Sequence, residues 1–167
     1  ISGTHLKNPL VPGVYEISTE GVGINTTMEV TITSTGAGTG NDTMSSLTAG
    51  AHSLHIISYT FETAPVENDT FTITFPLFVA DPATPGFDCT GLSTGDVTAS
   101  SGWTVTSATP ETCVVVVTAG ATPSNPVEVT IISTNMKNPT VLEVYSILIS
   151  GSGESKTILV PIVDSDT

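Results

Sequence analysis

The chain has 167 residues, which is enough for one domain with a real hydrophobic core. Charged residues make up only 11% of it and hydrophobic residues 38%, which argues against disorder, and its many Ser and Thr residues are typical of a secreted β protein. The net charge is −13 with three basic residues, so the chain lacks the basic patch that nucleic acid or an anionic membrane requires. No apolar run approaches the length of a membrane-spanning helix.

The first predicted element is a turn followed by a strand within residues 1–18. Lys7–Pro9 favours turn initiation, and Val14–Ile17 alternates with the period of a β-strand. The same unit returns near the other end of the chain as Lys137–Pro139 followed by Val144–Ile147. One sandwich needs such a unit only once, so the N-terminal copy is surplus and is a candidate for pairing with a neighbouring copy of the chain.

Short β-prone runs separated by turn signals fill the rest of the chain, without amphipathic helical segments. The predicted strands are Thr27–Ser34, His52–Glu62, Thr70–Phe75, Asp96–Ala99, Thr104–Ser107, Cys113–Thr118, Val127–Ser133, Val144–Ser150 and Thr157–Val163. Gly36–Asp42 is predicted to be an exposed loop, Ala80–Gly86 a long turn, and Ser45–Gly50 the one candidate helical turn. The apolar run Cys113–Thr118 is predicted to be buried on both faces.

This pattern predicts an all-β protein with an antiparallel sandwich or barrel. We expect an immunoglobulin-like sandwich over residues 21–167, preceded by an N-terminal extension strand over residues 1–20. The chain begins with Ile1 rather than Met, and we expect that a signal peptide has been removed, although a trimmed sequence would look the same.

The two cysteines, Cys89 and Cys113, are predicted to form a disulfide, because two cysteines in a secreted protein usually pair. The loop that this bond closes, of about 25 residues, would restrict the unfolded chain by about 3 kcal/mol. Two buried thiols are the alternative. Trp103 follows Cys89, but Cys113 comes too soon after it for the inter-sheet bridge of immunoglobulin domains, so we expect the bond to fasten a local hairpin.

Three asparagines lie in N-x-S/T sequons, namely Asn25, Asn41 and Asn68. All three fall in predicted loops or at strand ends, where a glycan can be attached. In a eukaryotic or archaeal source we therefore expect N-linked glycans at these positions.

The order of these elements resembles β-sandwich modules of secreted bacterial and archaeal surface proteins. The resemblance covers about residues 25–150 and is carried by Phe71–Pro76 (FTITFP) and by Val129–Ile147 (VTIISTNMKNPTVLEVYSI). Glu143 replaces the family glycine, which Gly13 keeps in the first copy, so the second turn should be looser. In architecture the chain is also similar to subunits of archaeal extracellular threads, which are immunoglobulin-like sandwiches joined by an N-terminal strand inserted into the next subunit.

The resemblance implies a structural subunit of an extracellular cell-surface filament that polymerises head to tail by strand insertion. The implied partners are copies of the chain, N-linked glycans, and other cells or surfaces. The candidate contacts of the donor strand are Leu6, Leu10, Val14, Tyr15 and Ile17. Alternatively, residues 1–18 form the first strand of their own sandwich. The C-terminal run Ile158–Val163 is a rival donor, but Pro161 favours pairing at the edge of its own sheet.

A second alternative is an adhesin or carbohydrate-binding module of a larger surface or S-layer protein, although exposed aromatic residues are scarce for such a role. An enzyme is not expected, because none of the familiar catalytic motifs occurs. His52 and His55 have a metal-like spacing, but residues i and i+3 of a strand lie on opposite faces. We therefore expect no metal and no cofactor.

Overall fold

The computed structural model of the chain describes residues 13–21, 24–32, 38–80 and 83–164, with the backbone alone up to residue 32. The chain divides into two compact units, Ile1–Gly36 and Ala37–Thr167. The boundary that we expected between residues 20 and 21 stays a prediction.

The first unit contains a β-hairpin. Strand β1 (Gly13–Gly21) pairs with β2 (Ile24–Ile32) in an antiparallel ladder. The strand predicted around Val14–Ile17 is therefore present, and the next one begins at Ile24 rather than at Thr27.

The second unit is built from two antiparallel sheets. Its strands are β3 (Thr39–Met44), β4 (His55–Thr60), β5 (Thr70–Thr74), β6 (Val79–Ala80), β7 (Ala83–Thr84), β8 (Val97–Ala99), β9 (Trp103–Thr109), β10 (Val114–Ala119), β11 (Val127–Ile131), β12 (Val144–Gly151) and β13 (Glu154–Pro161). One sheet has the order β13-β12-β5-β10-β9 and the other the order β3-β4-β11-β8, while β6 and β7 form a separate small ribbon. Two single-turn 3-10 helices, Thr94–Asp96 and Ser133–Asn135, complete the described elements. The all-β sandwich is confirmed, and its immunoglobulin-like detail stays a prediction.

The core lies between the two sheets because alternate residues of the strands are buried. In β5 these are Phe71 and Ile73, and across the core β11 buries Val127, Val129 and Ile131. An aromatic cluster fills one end of the core. Its members are Tyr59, Phe61, Phe71 and Trp103, with the rings of Phe61 and Trp103 stacked 5.9 Å apart.

The loop predicted over Gly36–Asp42 is wrong for its described part, because Thr39–Met44 is the edge strand β3 and pairs with β4. The glycines that favoured a loop serve close packing instead. A Cβ at Gly38 would lie 1.8 Å from the Thr60 carbonyl oxygen, and one at Gly40 would lie 2.8 Å from the Tyr59 ring. Glycine is thus required at Gly38 by a close backbone approach and favoured at Gly40 by a packed side chain, rather than by a turn.

Two further local predictions are wrong. In β10, Val115 and Val117 are buried, but Val114 and Val116 are only half-buried, so the apolar run does not have two fully buried faces. The sheet's other side is open to solvent there, as is common for antiparallel sheets. Residues Ser45–Gly50 contain no helical turn, and Thr48 instead forms an isolated bridge with Val163.

The C-terminal strand pairs within its own sheet. Strand β13 runs antiparallel to β12, with Ile158 opposite Ile147, and it forms the sheet edge. Pro161 is its last residue, where a missing N–H removes no ladder bond from a central strand.

The disulfide between Cys89 and Cys113 is confirmed, with the two Cα atoms 5.5 Å apart. The expected local hairpin is wrong. Cys113 lies at the turn between β9 and β10, but Cys89 precedes that hairpin and follows the β6–β7 ribbon. The bond therefore fastens the crossing segment around Phe87 and Cys89 to the end of the hairpin, and both cysteines are buried in the core.

Candidate functional site

The predicted donor residues fall partly within the described chain. Val14, Tyr15 and Ile17 lie in β1, and their partner strand is β2 of the same chain. Leu6 and Leu10 lie outside the described residues. The candidate donor is therefore part of a hairpin rather than a lone strand.

The register of this hairpin separates apolar from polar residues. Residues directly opposite one another share a face, and faces alternate along each strand. One face contains Tyr15, Ile17, Met28, Val30 and Ile32. The other contains Glu16, which lies opposite Glu29, and also Val14, so the predicted contacts Val14, Tyr15 and Ile17 do not share one face. An isolated two-stranded hairpin is marginally stable in water, so an apolar face of this kind requires a partner surface.

The sandwich exposes an apolar stripe on the outer face of β12 and β13. Leu159 is 65% exposed and lies opposite Ser146, so Val144 and Leu148 are its diagonal neighbours. Val144 is 60% exposed and Leu148 is 44% exposed. We call these three residues the Leu159 stripe. Leu159 belongs to β13, the edge strand of its sheet, and an edge strand is where a further strand can pair.

A second surface feature, the polar groove, lies around the repeated Lys-Asn-Pro motif. It is a hollow of about 220 Å³ lined by His52, Asp88, Thr90, Gly91, Thr134, Asn135 and Lys137. The backbone of Lys137 forms its centre, because it makes antiparallel bridges with His52 on one side and with Asp88 on the other. The Asp88 and Lys137 backbones exchange hydrogen bonds of 3.1 and 3.0 Å. The groove residues are thus fixed by three chain segments that are distant in sequence.

The charged side chains of the groove have defined positions. The Asp88 carboxylate accepts hydrogen bonds from the Thr90 hydroxyl at 2.6 Å and from the Thr90 N–H at 3.1 Å. These two bonds hold the pKa of Asp88 below its ordinary value, so the group is anionic at neutral pH. The Lys137 ammonium lies 3.9 Å from the other carboxylate oxygen, and both side chains are partly exposed.

A second hollow of about 260 Å³ adjoins the polar groove, and we call it the Phe78 hollow. It is lined by Gly50, Phe78, Gly86, Asp88, Lys137, Asn138 and Thr140. Phe78 is 43% exposed, and its N–H donates to the Phe87 carbonyl at 3.0 Å. Gly86 is required there, because a Cβ would lie 2.3 Å from the Leu77 backbone.

The Asn-Pro part of the motif has a structural role that the sequence did not reveal. Asn138 is 2% exposed, and its amide donates to the carbonyls of Ser46 and Thr48, both at 2.9 Å. Its N–H donates to the Ala51 carbonyl at 2.8 Å. Asn138 thereby fastens the segment between β3 and β4 to the groove.

Two of the predicted glycosylation sites are exposed. Asn41 lies in the edge strand β3, and its amide is 3.4 Å from the hydroxyl of Thr43, which is also exposed. Asn68 is exposed in a turn with φ of 72°. For Asn25 the structure describes only a backbone position, opposite Glu20 in the hairpin.

His52 and His55 do not converge on one site. His52 is exposed at the polar groove, whereas His55 is fully buried and its Nδ1 lies 2.7 Å from the Asp42 carboxylate. The His55 ring packs edge-on against Phe75 and Phe87, which makes it a core residue. Within residues 38–80 and 83–164 no group of three or more His, Cys, Asp or Glu residues is placed to hold a metal ion.

A buried carboxylate, Glu154, joins the two sheets. One of its oxygens accepts from the Glu62 and Thr63 N–H groups at 2.9 and 3.0 Å. The other accepts from the Gly38 N–H and the Tyr59 hydroxyl, both at 2.9 Å. Burial favours the neutral acid, but these four donors outweigh it and hold the pKa of Glu154 below its ordinary value. Sequence reasoning missed this cluster, since its members come from distant segments.

None of the described helical segments has the length and apolar character needed to cross a membrane. Comparison of the chain with protein-family models, with curated proteins and with solved structures yields no match.

Proposed function

We propose that the protein is a structural subunit of an extracellular cell-surface filament, joined head to tail to copies of itself by its N-terminal segment. The observation that carries the proposal is the separate compact unit Ile1–Gly36, whose hairpin has one apolar face by register. Such a face needs a cover, and a second copy of the chain supplies one in every subunit of a polymer.

The proposed acceptor is the Leu159 stripe of the neighbouring copy, together with the edge of β13. Three large aliphatic side chains are exposed there on one sheet face, beside the sheet edge that β13 forms. Pairing between a strand and a sheet edge, with apolar residues packed beneath it, is a general mode of association. The contact joins different surfaces on the two copies, so it can repeat from copy to copy, and it gives an open filament unless the rotation between copies closes a ring.

N-linked glycans at Asn25, Asn41 and Asn68 belong to this proposal. A glycan at Asn41 would lie on the edge strand β3 and would block edge-to-edge pairing there. The other long edges are β9 and β13, and of these β13 carries a residue of the Leu159 stripe. Mass spectrometry of peptides from the native protein tests occupancy, and unmodified asparagines at all three positions would remove this part of the proposal.

The experiment on assembly compares matched variants of the full chain by size-exclusion chromatography with light scattering and by electron microscopy. Ile17→Asp places a charge on the apolar face of the hairpin, and Ser18→Asp places one on the polar face. Leu159→Asp places a charge in the stripe, and Ser155→Asp does so on the same outer face of β13. We expect the wild type and both serine variants to form filaments, and both apolar-site variants to stay monomeric.

Each alternative gives a different result. If the hairpin covers its own sandwich, the wild type is monomeric and Ile17→Asp lowers its stability. If Ile17→Asp assembles as well as Ser18→Asp, the hairpin face is not the contact. Either result overturns the proposal.

A further inference from the structure

The polar groove and the Phe78 hollow adjoin, because Asp88 and Lys137 line both of them. One end offers amide and hydroxyl groups, from Asn135 and Thr134. The other end offers the partly exposed ring of Phe78. A ligand lying across both hollows would therefore contact polar groups, then a pair of opposite charges, then an aromatic ring.

The hydrogen-bond donors and acceptors on this surface indicate which class of ligand it can bind. An ionised carboxylate only accepts hydrogen bonds, and an ammonium group only donates them. Asp88 and Lys137 lie 3.9 Å apart, so hydroxyl groups between them can donate to one and accept from the other. One Asn135 amide N–H donates to Asp96 at 2.9 Å, and the amide oxygen lies next to Gly91, which also lines the groove. Neighbouring hydroxyls on a pyranose ring match this arrangement.

Other ligand classes fit less well. A metal ion would need more carboxylate, thiol or imidazole groups than the described residues bring together. A phosphate or an acidic sugar would meet the Asp88 carboxylate beside the single lysine, on a chain with a net charge of −13. Each hollow is somewhat smaller than the roughly 300–1,000 Å³ typical of pockets for drug-sized ligands, so each suits a single sugar ring.

We propose that this surface binds a neutral oligosaccharide, with hydroxyls of one ring held between Asp88 and Lys137 and the apolar face of the next ring against Phe78. Binding requires only one copy of the chain, so it is independent of filament assembly. A subunit that carried such a site would present it repeatedly along a polymer.

The test is an NMR titration of the full-length Leu159→Asp variant, which we expect to stay monomeric, with cellobiose, maltose, lactose and N,N′-diacetylchitobiose. The variants named below are made in the same background. We expect saturable shifts of the groove backbone with at least one of them, with a Kd on the order of 1 mM. Phe78→Ala and Asp88→Asn should each raise that Kd about tenfold, because each removes one half of the contact. The matched controls are Leu142→Ala and Glu128→Gln, which change exposed residues outside both hollows and should leave the Kd unchanged.

Three results would overturn the inference. In the first, no probe gives saturable shifts up to about 50 mM, a concentration that would reveal even weak binding. In the second, glucuronic acid binds and none of the neutral sugars does. In the third, Phe78→Ala binds the sugar as well as Leu142→Ala does while both remain folded by their amide spectra.

Discussion

Replacing Glu154 with glutamine should destabilise the sandwich by about 2–4 kcal/mol, because a glutamine amide has only one acceptor oxygen for the four donors. The best orientation turns the amide N–H₂ toward the Tyr59 hydroxyl, which can rotate and accept. The Gly38 N–H then still loses its acceptor, at a cost of about 1–3 kcal/mol for a buried donor. The two remaining bonds weaken as well, because the acceptor is no longer charged.

Urea unfolding at pH 7 measures this change, with the single tryptophan as the probe. Trp103 is buried against Phe61 and Phe71, so its fluorescence reports the sandwich itself. Glu128→Gln is the control, because it removes an exposed carboxylate from β11. If Glu154→Gln lowers the unfolding free energy by less than about 1 kcal/mol, as a substitution of an exposed residue does, the reasoning is refuted.

The same group makes stability depend on pH. The folded pKa of Glu154 lies below its ordinary value of 4.5, so the unfolded chain binds the proton more tightly. The stabilisation is therefore complete above about pH 5 and is lost as the pH falls through the folded pKa. Wild-type unfolding free energy should decline in this range more steeply than that of Glu154→Gln. Parallel curves for the two proteins would show that Glu154 contributes nothing to the acid sensitivity.

Two other predictions concern the backbone and the disulfide. Gly102→Ala and Gly153→Ala both place alanine at φ of 79°, at a cost of about 1–2 kcal/mol, but only at Gly102 would the Cβ lie 2.2 Å from the Thr122 carbonyl oxygen. Urea unfolding should show a clearly larger loss of unfolding free energy for Gly102→Ala than for Gly153→Ala. Equal losses would contradict the close packing of Gly102 against Thr122. Replacing Cys89 and Cys113 together with alanine should cost about 3 kcal/mol, and an unchanged denaturation midpoint would contradict this value.

The parts of the fold that the sequence predicts are those with a local pattern. Strand β5 alternates apolar and polar residues and β12 begins with the β-prone run Val-Tyr-Ser-Ile, and the predicted bounds of both strands differ from the observed ones by a residue. Strand β3 was not predicted, because its glycines and polar residues are typical of a loop. Its strand conformation depends on pairing with β4. Local composition cannot reveal a partner strand.

The polar groove and the buried Glu154 carboxylate were not predicted from the sequence either, because their residues come from distant segments of the chain. His52, Asp88 and Lys137 become neighbours only through isolated bridges between distant segments. The repeated Lys-Asn-Pro motif was predicted to be a turn. In the structure the buried Asn138 amide bonds to the segment between β3 and β4, and Lys137 lines the polar groove. The amphipathic register of the hairpin, by contrast, follows from strand period once the pairing of β1 with β2 is known.

The scarcity of basic residues has a consequence for proteolysis. Trypsin-like proteases cut after lysine or arginine, and this chain offers them only Lys7, Lys137 and Lys156. Lys137 is bridged on both sides by its neighbours, and Lys156 lies within β13 opposite Ile149. Cleavage at these two positions requires the backbone to leave its ladder, so it proceeds only through opening of the sandwich. A folded sandwich with this composition is resistant to a common class of extracellular protease.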